Sequence, residues 1–542
     1  MSDEQPLTRR AAREAAAGKG KRRARSTPPA GSAAPTEPVA TDPAAAPAPA
    51  WAATPTEVIG GAGPGAQDAQ DAGEKRGGFR AALERHPNTL MFSALGVIFL
   101  LLGTGAVFTG IAVGSAEAAV PLETQTPTPD PPRNVPAEIA SASALRTCSI
   151  DSLTEDPRLL TFAGSVINVT TGEVLFDRSA EDGAPPASVL KVLTAAAALA
   201  TIGPDYRMAT RVYEGSTPGS IVLVGGGDPT ISALPAGVES FYRGAPKMDD
   251  LAAKTKTAWE AAHPGEEITS VILDATYWDP ADKWDPTWER SEQTIGYHSE
   301  VTALMVDGDR ANPQKGTSPR STDPIGRAGN AFVAALDLGH PVDISTGAAL
   351  AGKPLLAEVK SQPIKILIGQ MLLTSDNTLA EMIARVVSKE SGAGGTAASL
   401  ASVIPGSLAT YGLDPVGVIV RDGSGLSANS AVAPLFVAQL MAKVYTGGQG
   451  LDVIKAGLPV AGKTGSLASR FTGANAVARG NVVAKTGWIK SSRTLAGWVH
   501  ATDGSVLSFA FYALGPVQAN ATDALDTVTT GVYNCGNNLS NN

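Results

Sequence analysis

The sequence predicts an α+β protein: an antiparallel sheet flanked by helices, with an inserted β-rich region, behind a disordered tail and one N-terminal transmembrane helix. Three observations predict it. Strand-like runs with tight turns lie near both ends of the globular part, at 162–177 and 481–514. Between them lie long helix-forming runs at 188–202 and from 363 onward. Ahead of all of these, Thr89 to Ser115 runs 27 residues without a charge.

The elements follow in chain order. Residues 1–88 are rich in Ala, Pro, Gly and Thr and poor in large apolar side chains. Such a segment cannot bury enough surface to offset its ordering entropy, so it reads as disordered. At ~1.5 Å per residue, the uncharged stretch 89–115 spans roughly 40 Å as a helix, more than the ~30 Å a bilayer core needs. Arg80 and Arg85 precede it and Glu117 follows it. This bias orients the N-terminus to the cytoplasm and everything beyond 116 to the outside of a cell membrane crossed once. A cleaved signal peptide is the competing reading, since Gly114-Ser115-Ala116 are small, but so long a leader and apolar run favour an uncleaved anchor. The Pro- and Thr-rich segment 116–144 reads as an extended stalk.

The chain of 542 residues has a net charge of −9, and its excess of acid lies beyond the tail, which argues against nucleic acid as a partner. The five histidines have no neighbours at metal-ligand spacing, so no metal and no cofactor are expected. Cys148 and Cys535, the two cysteines, stand at the two ends of the globular part. Outside the cytoplasm they are expected to pair and tie its termini together, two separate thiols being the alternative.

Within the globular part, Phe162–Asp177 reads as a hairpin around a Thr-Gly turn. Pro185 and Pro186 then precede a helical run from Ser188 to Ile202, with Gly203 as its stop. Ser188 and Lys191 are three apart and share a helix face, so a lysine amine can meet a serine hydroxyl. A serine needs a base to become a nucleophile, and a lysine serves once burial or a second cation favours its neutral form. Taken alone, this pair is weak and reads rather as an N-cap serine beside a solvated lysine. Further on, an apolar helix over about 363–373 is interrupted by Thr374-Ser375-Asp376-Asn377 before an amphipathic one begins. Ser375 and Asn377 there present a hydroxyl and an amide to a cleft, or else the turn is ordinary capping by Ser375 or Asp376. Near the end, Lys485, Thr486 and Gly487 lie in an alternating run followed by a hairpin turning at Asp503-Gly504. Lys485 and Thr486 can bind a substrate carboxylate, Gly487 allows close backbone approach, and the N–H groups of Trp488 and Ser188 can form an oxyanion hole.

S-x-x-K, S-D-N and K-T-G in this order are the signature of penicillin-binding proteins and serine β-lactamases. With the long interval between the first two motifs and the stretches LVGGGDPTIS (223–232), RDGSGLSANSAVAP (421–434) and LAGWV, the chain resembles the PBP4-like D-alanyl-D-alanine carboxypeptidases/endopeptidases, peptidase family S13, over about 145–535. The resemblance implies a penicillin-binding/β-lactamase-like transpeptidase domain, here 145–206 and 346–542, with 207–345 inserted. It implies Ser188 as the acylated nucleophile, Lys191 as its base, Ser375 as a proton relay, Asn377 on the substrate amide, and Lys485 and Thr486 on the terminal carboxylate. The implied partners are peptidoglycan stem peptides as substrate and β-lactams as covalent inhibitors. Trp488 departs from the Thr or Ser usual in the family, which removes a side-chain hydroxyl contact but not a backbone donor. A β-lactamase, a transpeptidase, or a non-catalytic wall-binding relative are the alternatives.

Two further stretches read as structural. Lys463-Thr464-Gly465 repeats the third motif and completes a formal phosphate-loop pattern from Gly457, but Pro459 interrupts it and no strand alternation follows. Trp278, Trp284 and Trp288 are expected to pack a small inserted domain rather than to bind glycan.

Overall fold

The computed structural model describes residues 145–541, so the expected tail, anchor and stalk lie outside the described residues. Among the described residues no helix is long and apolar enough to cross a membrane.

The chain opens with the hairpin of β1 (Thr161–Asn168) and β2 (Val174–Arg178), whose turn is tied by Asn168 Oδ1 accepting from the Thr170 and Thr171 N–H groups. A 3₁₀ turn at Ala187–Val189 then leads into α1 (Leu190–Thr201). Apolar nearly all round, α1 is buried along almost its whole length, as such a helix must be. The inserted segment follows as β3 (Ala209–Glu214), β4 (Ser220–Gly225), α2 (Met248–Ala262), β5 (Ser270–Asp274), α3 (Pro324–Leu336), β6 (Asp343–Thr346) and β7 (Leu355–Lys360). The chain continues through α4 (Ile364–Thr374), α5 (Asn377–Glu390), α6 (Leu400–Leu408) and α7 (Pro434–Thr446). It closes with β8 (Val482–Ile489), β9 (Ser492–His500), β10 (Val506–Leu514) and α8 (Ala521–Cys535).

These strands make two five-stranded sheets. The first, in the order β2-β1-β10-β9-β8, is antiparallel throughout and joins the two ends of the chain. Its central strands are apolar on both faces, and the two-residue alternation sorts them. Leu495, Val499, Phe509 and Phe511 face α8, whereas Ala496, Trp498, Ala510 and Tyr512 face the helical layer of α1 and α4–α7. Each such large side chain contributes roughly 1.5–3 kcal/mol when fully buried, so the sheet is locked between two helical layers. Cys148 and Cys535 are disulfide-bonded with Cα atoms 5.5 Å apart. In the chain-entropy model, closing so long a loop contributes on the order of 5 kcal/mol.

The second sheet, β6-β5-β4-β3-β7, has β4, β5 and β6 parallel, with α2 and α3 as the crossovers. The insertion is therefore an α/β unit rather than the β-rich one expected, and it runs through β7 to Lys360 rather than ending at 345, because β7 pairs with β3. Its tryptophans and prolines dominate the sequence reading, while the amphipathic run MDDLAAKTKTAWEAA that becomes α2 passes unremarked. Val212, Leu223, Leu251, Trp259, Val271 and Phe332 form its own core. Trp278 and Trp288 do not join that core. With Tyr242, Val301 and Met305 they pack into the helical core that carries α1 and α5.

Candidate active site

Three chain segments meet at one site. The first is the 3₁₀ turn before α1, which places Ser188 directly ahead of a helix and Lys191 one turn on. Both are buried, Lys191 completely. The Lys191 Nζ lies 2.9 Å from Ser188 Oγ, 2.8 Å from Asn377 Oδ1 and 2.7 Å from the Ser424 carbonyl oxygen. The amine donates to all three oxygens, two of them carbonyls, and so stands within proton-transfer distance of the serine hydroxyl.

The second segment is the sharp turn between α4 and α5. Ser375 adopts a left-handed conformation with φ 58°, and Asp376 caps α5 by accepting from the Leu379 N–H at 3.0 Å. The other oxygen of Asp376 accepts from Arg310 Nη2 at 2.6 Å and from the Tyr242 hydroxyl at 3.0 Å. Burial alone would raise the Asp376 carboxyl, but the Arg310 and Arg320 guanidinium groups outweigh it and hold the carboxyl well below the usual carboxylate range. A buried, charge-locked cap thus fixes the turn that carries Ser375 on one side and Asn377 on the other.

The third segment is edge strand β8. Lys485 is fully buried, and its Nζ donates to Ser375 Oγ at 2.9 Å and to the Thr486 carbonyl oxygen at 2.8 Å. Gly487 brings the strand against the nucleophile turn: a Cβ there would stand 2.1 Å from Thr494 Oγ1 and 2.9 Å from the Pro186 carbonyl oxygen. The Thr494 hydroxyl in turn donates to that carbonyl at 2.7 Å. Thr486 is half-buried, with its hydroxyl 2.8 Å from Ser466 Oγ. Ala484 N–H donates to Pro459 O and Val482 O accepts from Ala461 N–H, both on the side away from β9. The strand alternation puts the Trp488 N–H on that same edge. The Trp488 ring is half-buried, with the Arg493 guanidinium carbon 4.4 Å from its centroid.

Ser188, Lys191 and Asn377 thus form one hydrogen-bonded group, and Ser375 with Lys485 a second. The shared turn 375–377 joins the two, and Gly487 brings β8 against the residues just before Ser188. Such a site can activate a serine hydroxyl and bind an anion with a buried lysine. The second K-T-G lies beside β8, with Ser466 against Thr486, but does not extend along it. Lys463 is exposed, Gly465 opens a 3₁₀ turn of three residues, and Val460 O accepts from the Lys463 and Thr464 N–H groups. A phosphate loop needs those N–H groups free and a full helix behind them, so neither reading of that triplet finds support.

Four residues around the site carry no role in the sequence reading: Arg310, Glu381, Asp422 and Ser424. Glu381 leaves a local trace, standing four residues after Asn377 and so on the same helix face, and Asp422 and Ser424 lie in the stretch 421–434 that carries the resemblance without an assigned role. Arg310 reaches the site through long-range packing alone.

The sequence pattern of the D-Ala-D-Ala carboxypeptidase 3 (S13) family matches residues 146–317 and 310–532. The chain is 32% identical to the carboxypeptidase DacB of Mycolicibacterium smegmatis, covering 82% of this chain and 96% of that protein. It is 33% identical to a carboxypeptidase of Mycobacterium tuberculosis, over 72% of this chain and 84% of that one. Among solved structures, penicillin-binding protein 4 of Haemophilus influenzae superposes with a TM-score of 0.57 at 17% identity, covering 69% of this chain and 96% of the other, a likeness of fold. The fold is that of the penicillin-binding proteins and β-lactamases, and the chain belongs to the D-Ala-D-Ala carboxypeptidase 3 (S13) family.

Proposed function

We propose that the chain is a serine-type D-Ala-D-Ala carboxypeptidase acting on peptidoglycan stem peptides, with Ser188 as nucleophile and endopeptidase action on cross-links as a second outcome of the same chemistry. The observation that carries this reading is the buried contact of Lys191 Nζ with Ser188 Oγ at 2.9 Å, in a cleft shared with Ser375, Asn377 and Lys485. Lys191 takes the hydroxyl proton as Ser188 Oγ bonds to the carbonyl carbon of the penultimate D-Ala. The oxyanion accepts from the N–H groups of Ser188 and Trp488. The C–N bond then breaks, the departing D-Ala amine takes a proton by way of Ser375, and an ester on Ser188 remains. Water cleaves that ester by the reverse proton path. Lys485 and Thr486 bind the terminal carboxylate, and Asn377 the amide of the acyl part.

β-Lactams present a strained amide to the same serine and inhibit by acylating it. A fluorescent penicillin is expected to label the wild type and not Ser188→Ala, with D-Ala release lost in parallel. Equal labelling of both would remove Ser188 from its role. Product analysis on purified muropeptides separates the two activities: free D-Ala for the carboxypeptidase, split cross-links for the endopeptidase.

We further place the catalytic domain outside the cytoplasm, tethered by 89–115 with the N-terminus inside. The charge asymmetry around that stretch and the Cys148–Cys535 disulfide support this. Protease added to intact cells is expected to remove the domain while sparing an N-terminal tag. Protection of the domain would overturn the placement.

A further inference from the structure

We propose that Glu381, together with Asp422, is a positioning residue for this reaction: it fixes the Ser424 carbonyl against Lys191 and, through its charge, sets how readily the amine is held neutral. The inference rests on Ser188 and Lys191 being nucleophile and base.

The loop 422–427 has its backbone clamped by two carboxylates. Glu381 Oε2 accepts from the Gly423 N–H at 3.0 Å and Oε1 from the Ser424 N–H at 2.7 Å. Asp422 Oδ1 accepts from the Gly425 N–H at 2.8 Å, and its Oδ2 from the Ser427 N–H at 2.7 Å and the Trp288 indole N–H at 2.8 Å. From α1, the Thr194 hydroxyl donates to the Gly423 carbonyl at 2.6 Å. The loop cannot slide without breaking several charge-assisted bonds, and the Ser424 carbonyl it carries is one of the two carbonyl acceptors that orient the Lys191 amine. Asn377 supplies the other acceptor from the same face of α5, so one helix face holds both.

Glu381 and Asp422 are each only 1% exposed. Burial first, and then the charge of Asp422, push Glu381 up to about 7; burial pushes Asp422 up as well, against its hydrogen bonds from Trp288 and the backbone. The other charged and titratable groups around the pair are Lys191 on α1 and Arg385, one turn further along α5 and ion-paired with Asp282 at 2.6 Å. Beyond Trp288 packs the buried His298, 4.5 Å between ring centroids. When the carboxylate pair holds a proton, one anion fewer faces the amine and neutral Lys191 is favoured. When both ionise, the ammonium is favoured and Ser188 loses its base.

The test is the rate of acylation of the purified full chain by a fluorescent penicillin, and of D-Ala release, across pH. In Glu381→Gln the side-chain amide must turn its NH₂ toward a backbone N–H. Acylation is expected to slow by about tenfold or more, and the acid limb of the profile to move to lower pH because an anion has been removed from beside the amine. Glu381→Asp keeps the charge but withdraws the carboxylate, so it should slow acylation with the limb in place. Asp422→Asn removes the other charge, should move the limb in the same direction, and tests the inference independently where the Gln variant does not fold. Wild-type rates and an unmoved acid limb in either folded charge-removing variant would overturn it. Retained labelling of Ser188→Ala, by contrast, faults the nucleophile itself whatever Glu381 does.

Discussion

The chain carries K-T-G twice, and the two copies have opposite fates. Lys485 lies on edge strand β8, is fully buried, and reaches Ser375 from a sheet that also presses Gly487 onto the nucleophile turn. Lys463 lies in a coil upstream, exposed to solvent, and its triplet bends into a 3₁₀ turn that closes on Val460. The tripeptide alone carries no chemistry. An extended strand spaces alternate side chains on one face, so the residue two after the lysine meets the backbone before Ser188 while the lysine meets the S-D-N turn. A turn cannot present both.

The comparison breaks most sharply at the lysines. Lys485→Ala removes the cation assigned to the substrate carboxylate and is expected to lower kcat/KM for a D-Ala-D-Ala peptide by about 100-fold or more. Lys463→Ala is expected to leave it within about twofold. Steady-state D-Ala release on both variants decides the matter, and a comparable loss in Lys463→Ala would dissolve the distinction.

The glycines sharpen it. Gly487→Ala drives a methyl group into Thr494 Oγ1 and the Pro186 carbonyl, so β8 must move away from the Ser188 turn. A displacement of about 1 Å at such a site costs on the order of 100-fold in rate, and penicillin acylation should fall by that much. Gly465 has φ 55°, and a Cβ there would stand 2.5 Å from the Leu373 carbonyl oxygen, so Gly465→Ala is expected to lower the thermal unfolding temperature and to slow acylation far less than Gly487→Ala. Loss of acylation in Gly465→Ala at unchanged stability would contradict the assignment.

How much of this was legible in the sequence follows from distance along the chain. Ser188 and Lys191 are one helical turn apart, Ser375 and Asn377 share one turn, and Lys485 to Trp488 are consecutive. Local spacing is enough to pair each set, and the order of the three motifs supplied the rest. The hairpins around Thr171-Gly172 and Asp503-Gly504 were readable for the same reason: two-residue alternation and turn chemistry are local. What could not be read depends on segments that return from far away. Arg310 supports Asp376 from 66 positions upstream, and Trp288 donates to Asp422 across 134. Neither an isolated arginine nor a tryptophan in a Pro-rich stretch reveals its partner. The tryptophans were expected to fill the inserted unit, yet Trp278 and Trp288 pack under the catalytic helices, because the chain between β5 and α3 folds back over α5.

That returning segment also explains why Lys485, unlike Lys463, has a fixed partner. Ser375 keeps its left-handed conformation because Asp376 is anchored by a buried guanidinium, with Arg310 and Asp376 only 1% and 3% exposed at the side chain. In Arg310→Met the carboxylate stays buried without that cation, at an expected cost of about 3–5 kcal/mol. The sign of the pH dependence is fixed. In the wild type the Asp376 carboxyl lies below its ordinary value of 3.8, so its contribution is fully present above that value and is lost only as pH falls through the depressed one. Without Arg310 the folded-state value rises, so the stability gap between variant and wild type should be widest at neutral pH and narrow on acidification. Urea unfolding at a series of pH values measures this gap, and a gap independent of pH would mean that Arg310 supports the turn by packing on Tyr242 and Phe241 rather than by charge.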